Sequence, residues 1–516
     1  MPLPKTALRL LRGIVRVLGA LSTLALVTGV ACRLASAWYW HRFGDVGFDS
    51  ILFTLLFQKT GAERGQIESF VFEAAVPAVV LGIVAWVLFL GRSRVGIDLV
   101  RRASGRRLRI WPFPPAVRIA LSSAAAACLL FASSKDVGLG RWLAARAKYS
   151  TFIEDRYVPP RSVGISFPDK RRNLICLYVE SAETTFFSKE QGGAMDVCVV
   201  PELYGLAREN VSFSHDGGIG GWPATPGTGF TAAAMVALTM GVPLKVPLRG
   251  NEYVGYERFL PGAVALGDIL RDAGYRQALL VGSDPAFAAR DKLYLQHGTD
   301  EIFDPETAVR DGIIPEGYHR WWGFEDSVLF RYARKILADL ASSGKPFCLT
   351  LLTADTHAVG GFVCDRCERR FADPYENVFA CTSRQVGDFI EWLKDQPYWN
   401  DTTVLVCGDH PSMDHPYFRR HLPEGGGFKR HVYNCILNAV PLAPPDRTRN
   451  RAFSPMDMFP TILAAMGCTI EGDRLGLGVN LFSDTPTLAE ELGVATYHEK
   501  LRERSDFYLY KIVLGR

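Results

Sequence analysis

The chain has 516 residues, of which 48% are hydrophobic, and its 58 basic and 54 acidic side chains leave a net charge of only +4. This length is enough for two or three domains. So small a basic excess argues against a nucleic-acid-binding protein, because such proteins neutralise phosphates with clustered Lys and Arg side chains. We therefore expect no nucleic-acid partner.

Three apolar stretches lie in the N-terminal part of the chain, at residues 17–38, 70–90 and 119–134. Each approaches the ~20 residues that a helix needs to cross a bilayer. We therefore predict a bundle of about three transmembrane helices, within a membrane domain of residues 1–135. The apolar run 51–57 is too short to cross, and we expect it to lie at the membrane surface or to pack on the bundle.

Basic residues predict the orientation of these spans. They precede the first span and crowd the connection between the second and third: Lys5, Arg9, Arg12, Arg16, Arg92, Arg94, Arg101, Arg102, Arg106, Arg107 and Arg109. Such segments stay cytoplasmic, so everything after about Lys135 is expected on the far side of the membrane. Ala35-Ser36-Ala37 also resembles a signal-peptide cleavage site, and that alternative leaves the large domain outside as well.

The 11 cysteines divide by context. Cys176, Cys348, Cys407 and Cys435 lie in apolar, β-rich runs, where a cysteine is usually a small buried hydrophobe. Three others lie close in sequence: Cys364, Cys367 and Cys381. A single Cys-x-x-Cys lacks the second pair of a structural zinc site, so a disulfide is expected outside the cytoplasm. We favour Cys367 with Cys381; the pairings that involve Cys364 stay open.

The rest of the chain alternates strands with helices. After a connector at residues 136–160, continuous apolar runs at 173–179, 348–352 and 403–407 predict strands that are buried on both faces. Helical patterns at 265–273 and 386–394 lie between or after them. The fold class is therefore α/β, with the large domain at residues 161–516.

Polar side chains follow the three predicted strands directly. They are Glu180, then His357, then the pair Asp409 and His410. A helix is also predicted to begin at Thr231, after a glycine-rich loop, with its positive dipole end toward that loop. Because ligands collect beyond the carboxyl ends of strands in such sheets, these residues are expected at one rim. Taken singly, each is equally explained as a cap or a loop residue.

Carboxylate oxygens with one imidazole suit Mn²⁺, Mg²⁺ or Zn²⁺. A threonine hydroxyl on such a metal loses its proton more easily and becomes a nucleophile. The natural electrophile is phosphorus or sulfur in an ester.

Several motifs together resemble a known family. They are Leu177-Tyr-Val-Glu180-Ser181, Pro226-Gly-Thr-Gly-Phe-Thr231, Gly241-Val-Pro-Leu244, Leu266-Gly-Asp-Ile-Leu270, His297-Gly298, Trp322-Gly-Phe324, Asp355-Thr-His357, Asp409-His410 and Leu475-Gly-Leu-Gly478. Residues 173–481 resemble the alkaline-phosphatase and sulfatase superfamily. Within it they are similar to the membrane-anchored phosphoglycerol transferases: the lipoteichoic acid synthases and, more closely, the enzymes that modify osmoregulated periplasmic glucans.

The resemblance implies roles for individual residues. The metal ligands would be Glu180, Thr231, Asp409 and His410, with Thr231 as the nucleophile. Thr228, in the same loop, is the rival nucleophile. His357 would be catalytic and would bind substrate, together with Arg290 and Trp322. Ala288 and Ala358 stand where relatives carry a substrate-contacting tryptophan and a second histidine, so those two contacts are not implied.

The resemblance also implies a mixed sheet flanked by helices and a Mn²⁺-dependent transferase, with Mg²⁺ or Zn²⁺ as other candidates. It would move sn-glycerol-phosphate from phosphatidylglycerol to a periplasmic glucan or another envelope glycan. A phospho-threonine would form and diacylglycerol would leave. The alternatives are a phosphoethanolamine transferase, a phosphodiesterase or a sulfatase of the same superfamily, or an inactive glycan-binding scaffold in the membrane. A sulfatase normally needs a Cys/Ser-x-Pro-x-Arg setting, which does not surround Thr231.

Overall fold

The computed structural model describes residues 4–57, 64–89, 97–100, 107–111, 113–246, 258–422, 427–441 and 443–516. The chain divides into two compact units. The first holds Met1–Asp45 and Glu63–Gly140, and the second holds Val46–Ala62 and Arg141–Arg516. The chain therefore enters the second unit twice, and the break predicted at residue 135 stays a prediction.

The first unit is mostly helical. Its helices and one antiparallel hairpin are Lys5–Phe43, Arg64–Phe70 continued through a π-helical turn Val71–Ala75 into Val76–Phe89, Ile97–Val100 paired with Arg107–Trp111, and Pro115–Asp136. Three of these helices are long and apolar enough to cross a membrane, which indicates membrane anchoring. Leu90 and the predicted cytoplasmic residues Arg92, Arg94, Arg101, Arg102 and Arg106 lie outside the described residues.

A seven-stranded mixed sheet forms the centre of the second unit. In spatial order its strands are Gly221–Pro223, His431–Leu437, Thr402–Gly408, Asn173–Val179, Phe347–Leu352, Arg276–Val281 and Glu301–Phe303. The last five run parallel, and His431–Leu437 is antiparallel to Thr402–Gly408. The three strands predicted from apolar runs are confirmed, and so is the α/β class.

Helices cover both faces of this sheet. The second unit contains Phe48–Phe57, Leu139–Ala147, Phe152–Arg156, Pro201–Glu209, Thr231–Met240, Leu266–Asp272, Arg290–Gln296, Pro305–Arg310, Asp326–Ser342, Pro374–Lys394, His415–His421, Pro445–Thr448, Met458–Ala465, Leu488–Leu492 and Val494–Arg502. Short strand pairs join Ile165–Ser166 to Thr469–Ile470 and Arg474–Leu475 to Gly478–Val479. Alternate side chains of the central strand enter two separate apolar cores: Tyr178 lies in one and Leu177 in the other. Burial on both faces explains why that strand is a continuous apolar run.

The short apolar helix Phe48–Phe57 belongs to the second unit. This contradicts our alternative that it packs on the membrane bundle, and the alternative of a membrane-surface segment stays a prediction. Phe53 is 1% exposed, and its ring centroid lies 5.0 Å from that of Phe230. Asp49 Oδ1 accepts a hydrogen bond from Arg146 Nη2 at 2.9 Å. An aromatic contact and an ion pair therefore fix this helix to the large domain.

The cysteines follow their predicted burial. Cys176, Cys348, Cys407 and Cys435 are buried in strands. The expected disulfide differs from the structure, because Cys364, Cys367 and Cys381 are all free thiols. Their sulfur atoms nevertheless lie together.

Candidate active site

Strand register brings the predicted site residues to one edge of the sheet. Val179 pairs with Gly408, and Tyr178 pairs with Leu352. Because these strands are parallel, the residues that follow them, Glu180 and Asp409 among them, emerge at the same rim. Gly408 is required here, since a Cβ at that position would lie 2.0 Å from the Ala182 carbonyl oxygen.

Four predicted ligands meet at this rim, and we call them the ligand cluster: Glu180, Thr231, Asp409 and His410. Thr231 Oγ1 lies 3.4 Å from Glu180 Oε2 and 3.4 Å from His410 Nε2. His410 Nε2 lies 3.3 Å from Asp409 Oδ2 and 3.6 Å from Glu180 Oε1. The carboxylates and the imidazole are buried, so their charges act in a medium of low polarity.

The backbone around the cluster orients its carboxylates. Ser181 has a left-handed φ of 59°. Its N–H donates to Asp409 Oδ1 at 2.9 Å, and its hydroxyl donates to Glu180 Oε1 at 2.8 Å. Sequence analysis missed Ser181, for which the only signal was its position directly after Glu180.

The cluster fits a divalent cation. His410 Nδ1 lies 3.0 Å from the Pro411 carbonyl oxygen, so we assign the ring proton to Nδ1. The lone pair of Nε2 then faces the carboxylates. Asp409 Oδ2 is buried without a hydrogen-bond donor. Burial and the charge of Glu180 raise the pKa of Asp409 to about 6. A cation at this point would compensate lone pairs that nothing else satisfies, and the donor set suits Mn²⁺, Mg²⁺ or Zn²⁺.

A proton can compete with a divalent cation for His410. Burial lowers the pKa of His410, but the charges of Asp409 and Glu180 outweigh it and raise the pKa above the ordinary value. Metal binding at this cluster must therefore release a proton as pH falls toward that pKa.

The loop before Thr231 is built to present that hydroxyl. Gly227 has a φ of 77°, and a Cβ there would lie 2.7 Å from Pro243 Cβ. The helix Thr231–Met240 starts after extended Phe230 and is buried along its remaining length. The rival, Thr228, is buried and its hydroxyl donates to the Thr225 carbonyl at 2.9 Å.

Arg290 begins the helix Arg290–Gln296 beside the cluster, directly after a constrained loop. Its Nη2 donates to Ser283 Oγ at 2.9 Å and to the Asp284 carbonyl at 2.7 Å. The two residues before it, Ala288 and Ala289, have φ values of 58° and 56°, a conformation that costs alanine energy. Burial lowers the pKa of Arg290 to about 10, partly offset by Glu180, so the guanidinium keeps its charge at neutral pH.

Arg290, Trp322 and His357 line the adjacent surface, which we call the substrate wall. The Trp322 ring centroid lies 4.6 Å from that of His357 and 5.0 Å from that of Phe287, in the loop that leads to Arg290. Trp322 Nε1 is buried without an acceptor. An unpaired indole N–H beside a charged guanidinium is suited to an anionic or polyhydroxylated ligand.

His357 is neutral at physiological pH. Its Nδ1 lies 2.7 Å from the Ala358 carbonyl, which leaves Nε2 as the acceptor. Burial lowers its pKa to about 4, assisted by the positive charges of His410 and Arg290. The ring can therefore accept a proton in its resting form.

A buried carboxyl pair holds the loop that carries His357. Asp326 Oδ1 accepts from the Ala354 N–H at 2.7 Å, and Asp355 Oδ1 accepts from the Asp326 N–H at 3.2 Å. Burial raises the pKa of Asp326 to about 7. Thr356 Oγ1 donates to the Glu180 carbonyl at 2.5 Å, which connects this loop to the ligand cluster. Sequence analysis missed Asp326, which looks like any acidic residue in a first helical turn.

Comparison with known proteins agrees with the fold. Residues 247–468 match the family model described as Sulfatase. This part of the chain is a sulfatase-family domain. Phosphoglycerol transferase I of Escherichia coli strain SMS-3-5 is 34% identical over 255 residues, which are 48% of this chain and 32% of the relative. The protein of the same name from strain K12 is 33% identical over the same extent. The chain thus matches about a third of the length of these curated relatives.

Two solved structures share the fold of the sulfatase-family domain. Lipoteichoic acid synthase LtaP from Listeria monocytogenes has a TM-score of 0.50 at 18% identity, covering 64% of this chain and 81% of that one. Lipooligosaccharide phosphoethanolamine transferase A (EptA) from Neisseria meningitidis, an integral membrane protein, has a TM-score of 0.50 at 14% identity, covering 87% and 84%. The predicted sulfatase-like mixed sheet is confirmed.

Proposed function

We propose that this chain is a metal-dependent phosphoglycerol transferase. It moves sn-glycerol-phosphate from phosphatidylglycerol to a periplasmic glucan or another envelope glycan. The observation that carries the proposal is the position of Thr231 Oγ1, 3.4 Å from both Glu180 and His410. The curated relatives, named phosphoglycerol transferase I, support the choice of transferred group.

In the first step, Thr231 Oγ1 attacks the phosphorus of the donor lipid, and the phosphorus–oxygen bond to diacylglycerol breaks. Glu180 Oε2 is the nearest carboxylate that can accept the threonine proton. When the anionic phosphodiester of the donor binds, its charge raises the pKa of His357, which takes up a proton from solvent and gives it to the departing diacylglycerol oxygen. A divalent cation held by the ligand cluster would lower the pKa of the threonine hydroxyl and neutralise phosphate charge.

In the second step, a sugar hydroxyl gives its proton to His357 Nε2 and attacks the phospho-threonine. The bond from phosphorus to Thr231 breaks, and Glu180 returns the proton that restores the threonine hydroxyl. Throughout, Arg290 faces the charge on the non-bridging oxygens. We assign to the Trp322 indole N–H, which is buried without an acceptor, a hydrogen bond to the glycerol or to the glycan.

The location of the chemistry follows from the lipid donor. The three apolar helices anchor the chain in a membrane. We place it in the bacterial inner membrane, with the sulfatase-family domain on the periplasmic side, because the basic segments are cytoplasmic by the positive-inside rule. A reporter fused after Lys135 should be active only outside the cytoplasm, and one fused at Ser104 only inside.

The decisive assay uses purified full-length protein and phosphatidylglycerol labelled in its head group. Without acceptor, label should appear on the protein; with a periplasmic glucan, it should move to the glycan as diacylglycerol is released. Thr231→Ala is the matched negative control. Transfer from phosphatidylethanolamine instead would assign the chemistry of EptA, and retention of both lipids would favour a binding scaffold.

A further inference from the structure

A second group of metal-ligating side chains lies away from the ligand cluster. Cys364 and Cys367 stand on the connection between strand Phe347–Leu352 and helix Pro374–Lys394, and Cys381 stands on that helix. We call these three residues the thiol cluster. Their sulfur atoms all lie within 4.8 Å of one another.

The spacing of the sulfur atoms matches a metal–thiolate tetrahedron. With Zn–S bonds of ~2.3 Å, two sulfurs at tetrahedral positions lie ~3.8 Å apart. Cys364 Sγ lies 3.6 Å from Cys367 Sγ and 3.8 Å from Cys381 Sγ. Two edges of the tetrahedron are therefore already present.

Neighbouring donors favour anionic sulfur at one member of the cluster. Cys364 and Cys381 are buried, whereas Cys367 is half-buried. Gln385 Nε2 lies 3.5 Å and Arg384 Nη2 4.0 Å from Cys381 Sγ. A cationic and an amide donor beside one sulfur stabilise a thiolate rather than a thiol.

We propose that the thiol cluster binds a thiophilic cation, with Zn²⁺ as the reference ion. Three thiolates are soft ligands, in contrast to the oxygen-rich ligand cluster, so the two sites select different metals. Each cysteine gives up its proton to solvent on binding, and no oxidant is involved. The inference does not depend on the proposed reaction.

The site has a structural consequence for the substrate wall. The Phe362 N–H donates to the Asp355 carbonyl at 2.7 Å. Phe362 stands two residues before Cys364, and Asp355 stands two residues before His357. A cation that ties Cys364 to Cys381 fixes the far end of the His357 loop to helix Pro374–Lys394. Zn²⁺ should accordingly slow hydrogen exchange of the backbone at residues 358–372.

Cobalt substitution tests the site in the full-length protein. Co²⁺ bound by thiolates gives an intense sulfur-to-cobalt charge-transfer absorption in the near ultraviolet, which oxygen and nitrogen ligands do not. We expect this absorption in the wild-type protein and in Asp409→Ala, in which the ligand cluster is broken. It should be lost in Cys367→Ser and kept in Cys198→Ser, a matched half-buried cysteine outside the cluster.

Two further measurements make the outcome clear. Elemental analysis of protein purified without reductant should find one more Zn²⁺ per chain in wild type than in Cys367→Ser. Alkylation after chelation should then label all three cysteines of the cluster. A disulfide between any two of them, or a wild-type protein without the charge-transfer absorption, overturns the proposal whether or not the variants fold.

Discussion

The ligand cluster and the substrate wall are built on different parts of the sheet architecture. Glu180, Asp409 and His410 directly follow parallel strands whose register fixes them, and all three are buried. His357 stands on a loop, and Arg290 begins a helix directly after two left-handed alanines. Strand ends therefore fix the atoms that the proposed chemistry needs, while the groups proposed to contact the substrate stand outside the strands, where sequence can change without disturbing the sheet.

The largest effect should come from the nucleophile. Thr231→Ala removes the attacking oxygen, so turnover should fall by at least ~10³-fold, as for nucleophiles in other enzymes. Thr228→Ala is the matched control: it loses about 1 kcal/mol of one hydrogen bond, and activity should fall by less than ~10-fold. Mass spectrometry of wild type with lipid and no acceptor should place glycerophosphate on Thr231. An adduct on Thr228 would show that the loop presents the other oxygen.

The ligand cluster can be broken without touching the nucleophile. Asp409→Asn keeps the side-chain volume but removes the negative charge of a buried ligand, so bound Mn²⁺ and turnover should both be lost, the latter by ~10²-fold or more. Metal analysis and activity should fall together while membrane insertion is unchanged. Full activity after exhaustive chelation would separate the cluster from catalysis altogether.

The substrate wall should respond to pH. His357 must be neutral to accept a proton. Burial lowers its pKa to about 4 in the free protein, and the anionic phospho-threonine raises it, so the acid limb of the second step should lie above about pH 4. His357→Gln should reduce turnover by ~10²-fold or more and abolish that limb. An acid limb that survives in His357→Gln would assign the titration to another group.

The same pKa shift has a consequence for stability. Because the pKa of His357 is lowered in the folded state, the unfolded chain takes up a proton first as pH falls. His357 therefore stabilises the fold above about pH 6.5, and this stabilisation is lost between about pH 6.5 and 4. His357→Gln should be less sensitive to acid over that window in thermal unfolding.

The smallest effect should come from Ser181→Gly. Glycine tolerates the left-handed φ of 59° at no cost, which offsets the loss of one hydroxyl hydrogen bond to Glu180. We expect unchanged stability within about 1 kcal/mol and a loss of activity below ~10-fold. Ser181→Val, which is β-branched and strained at this φ, should be clearly less stable.

Local pattern was enough to predict three strands of the seven-stranded sheet and the polar residues that follow them. The run at 173–179 is buried on both faces, so apolar composition alone located it, and Glu180 followed from its position. The roles of Arg290 and Trp322 were predicted from the family resemblance alone, because nothing in their local sequence shows that the chain folds back beside Glu180. Asp326 was missed because it contacts backbone that is distant in sequence. Ser181 was missed because its role depends on a left-handed backbone conformation. We expected a disulfide because the domain is predicted to lie outside the cytoplasm. The compartment, however, does not determine how three sulfur atoms are arranged.

The second compact unit is discontinuous in sequence, and the contact between Phe53 and Phe230 joins its two segments. A protease that cuts near residue 140 would release Arg141–Arg516 without the helix Phe48–Phe57. The fragment would lose the burial of Phe53, worth about 1.5–3 kcal/mol. Phe53 contacts Phe230, which directly precedes Thr231. Arg146 would also lose Asp49. A peptide of residues 46–62, added to the released fragment, should therefore restore its thermal stability.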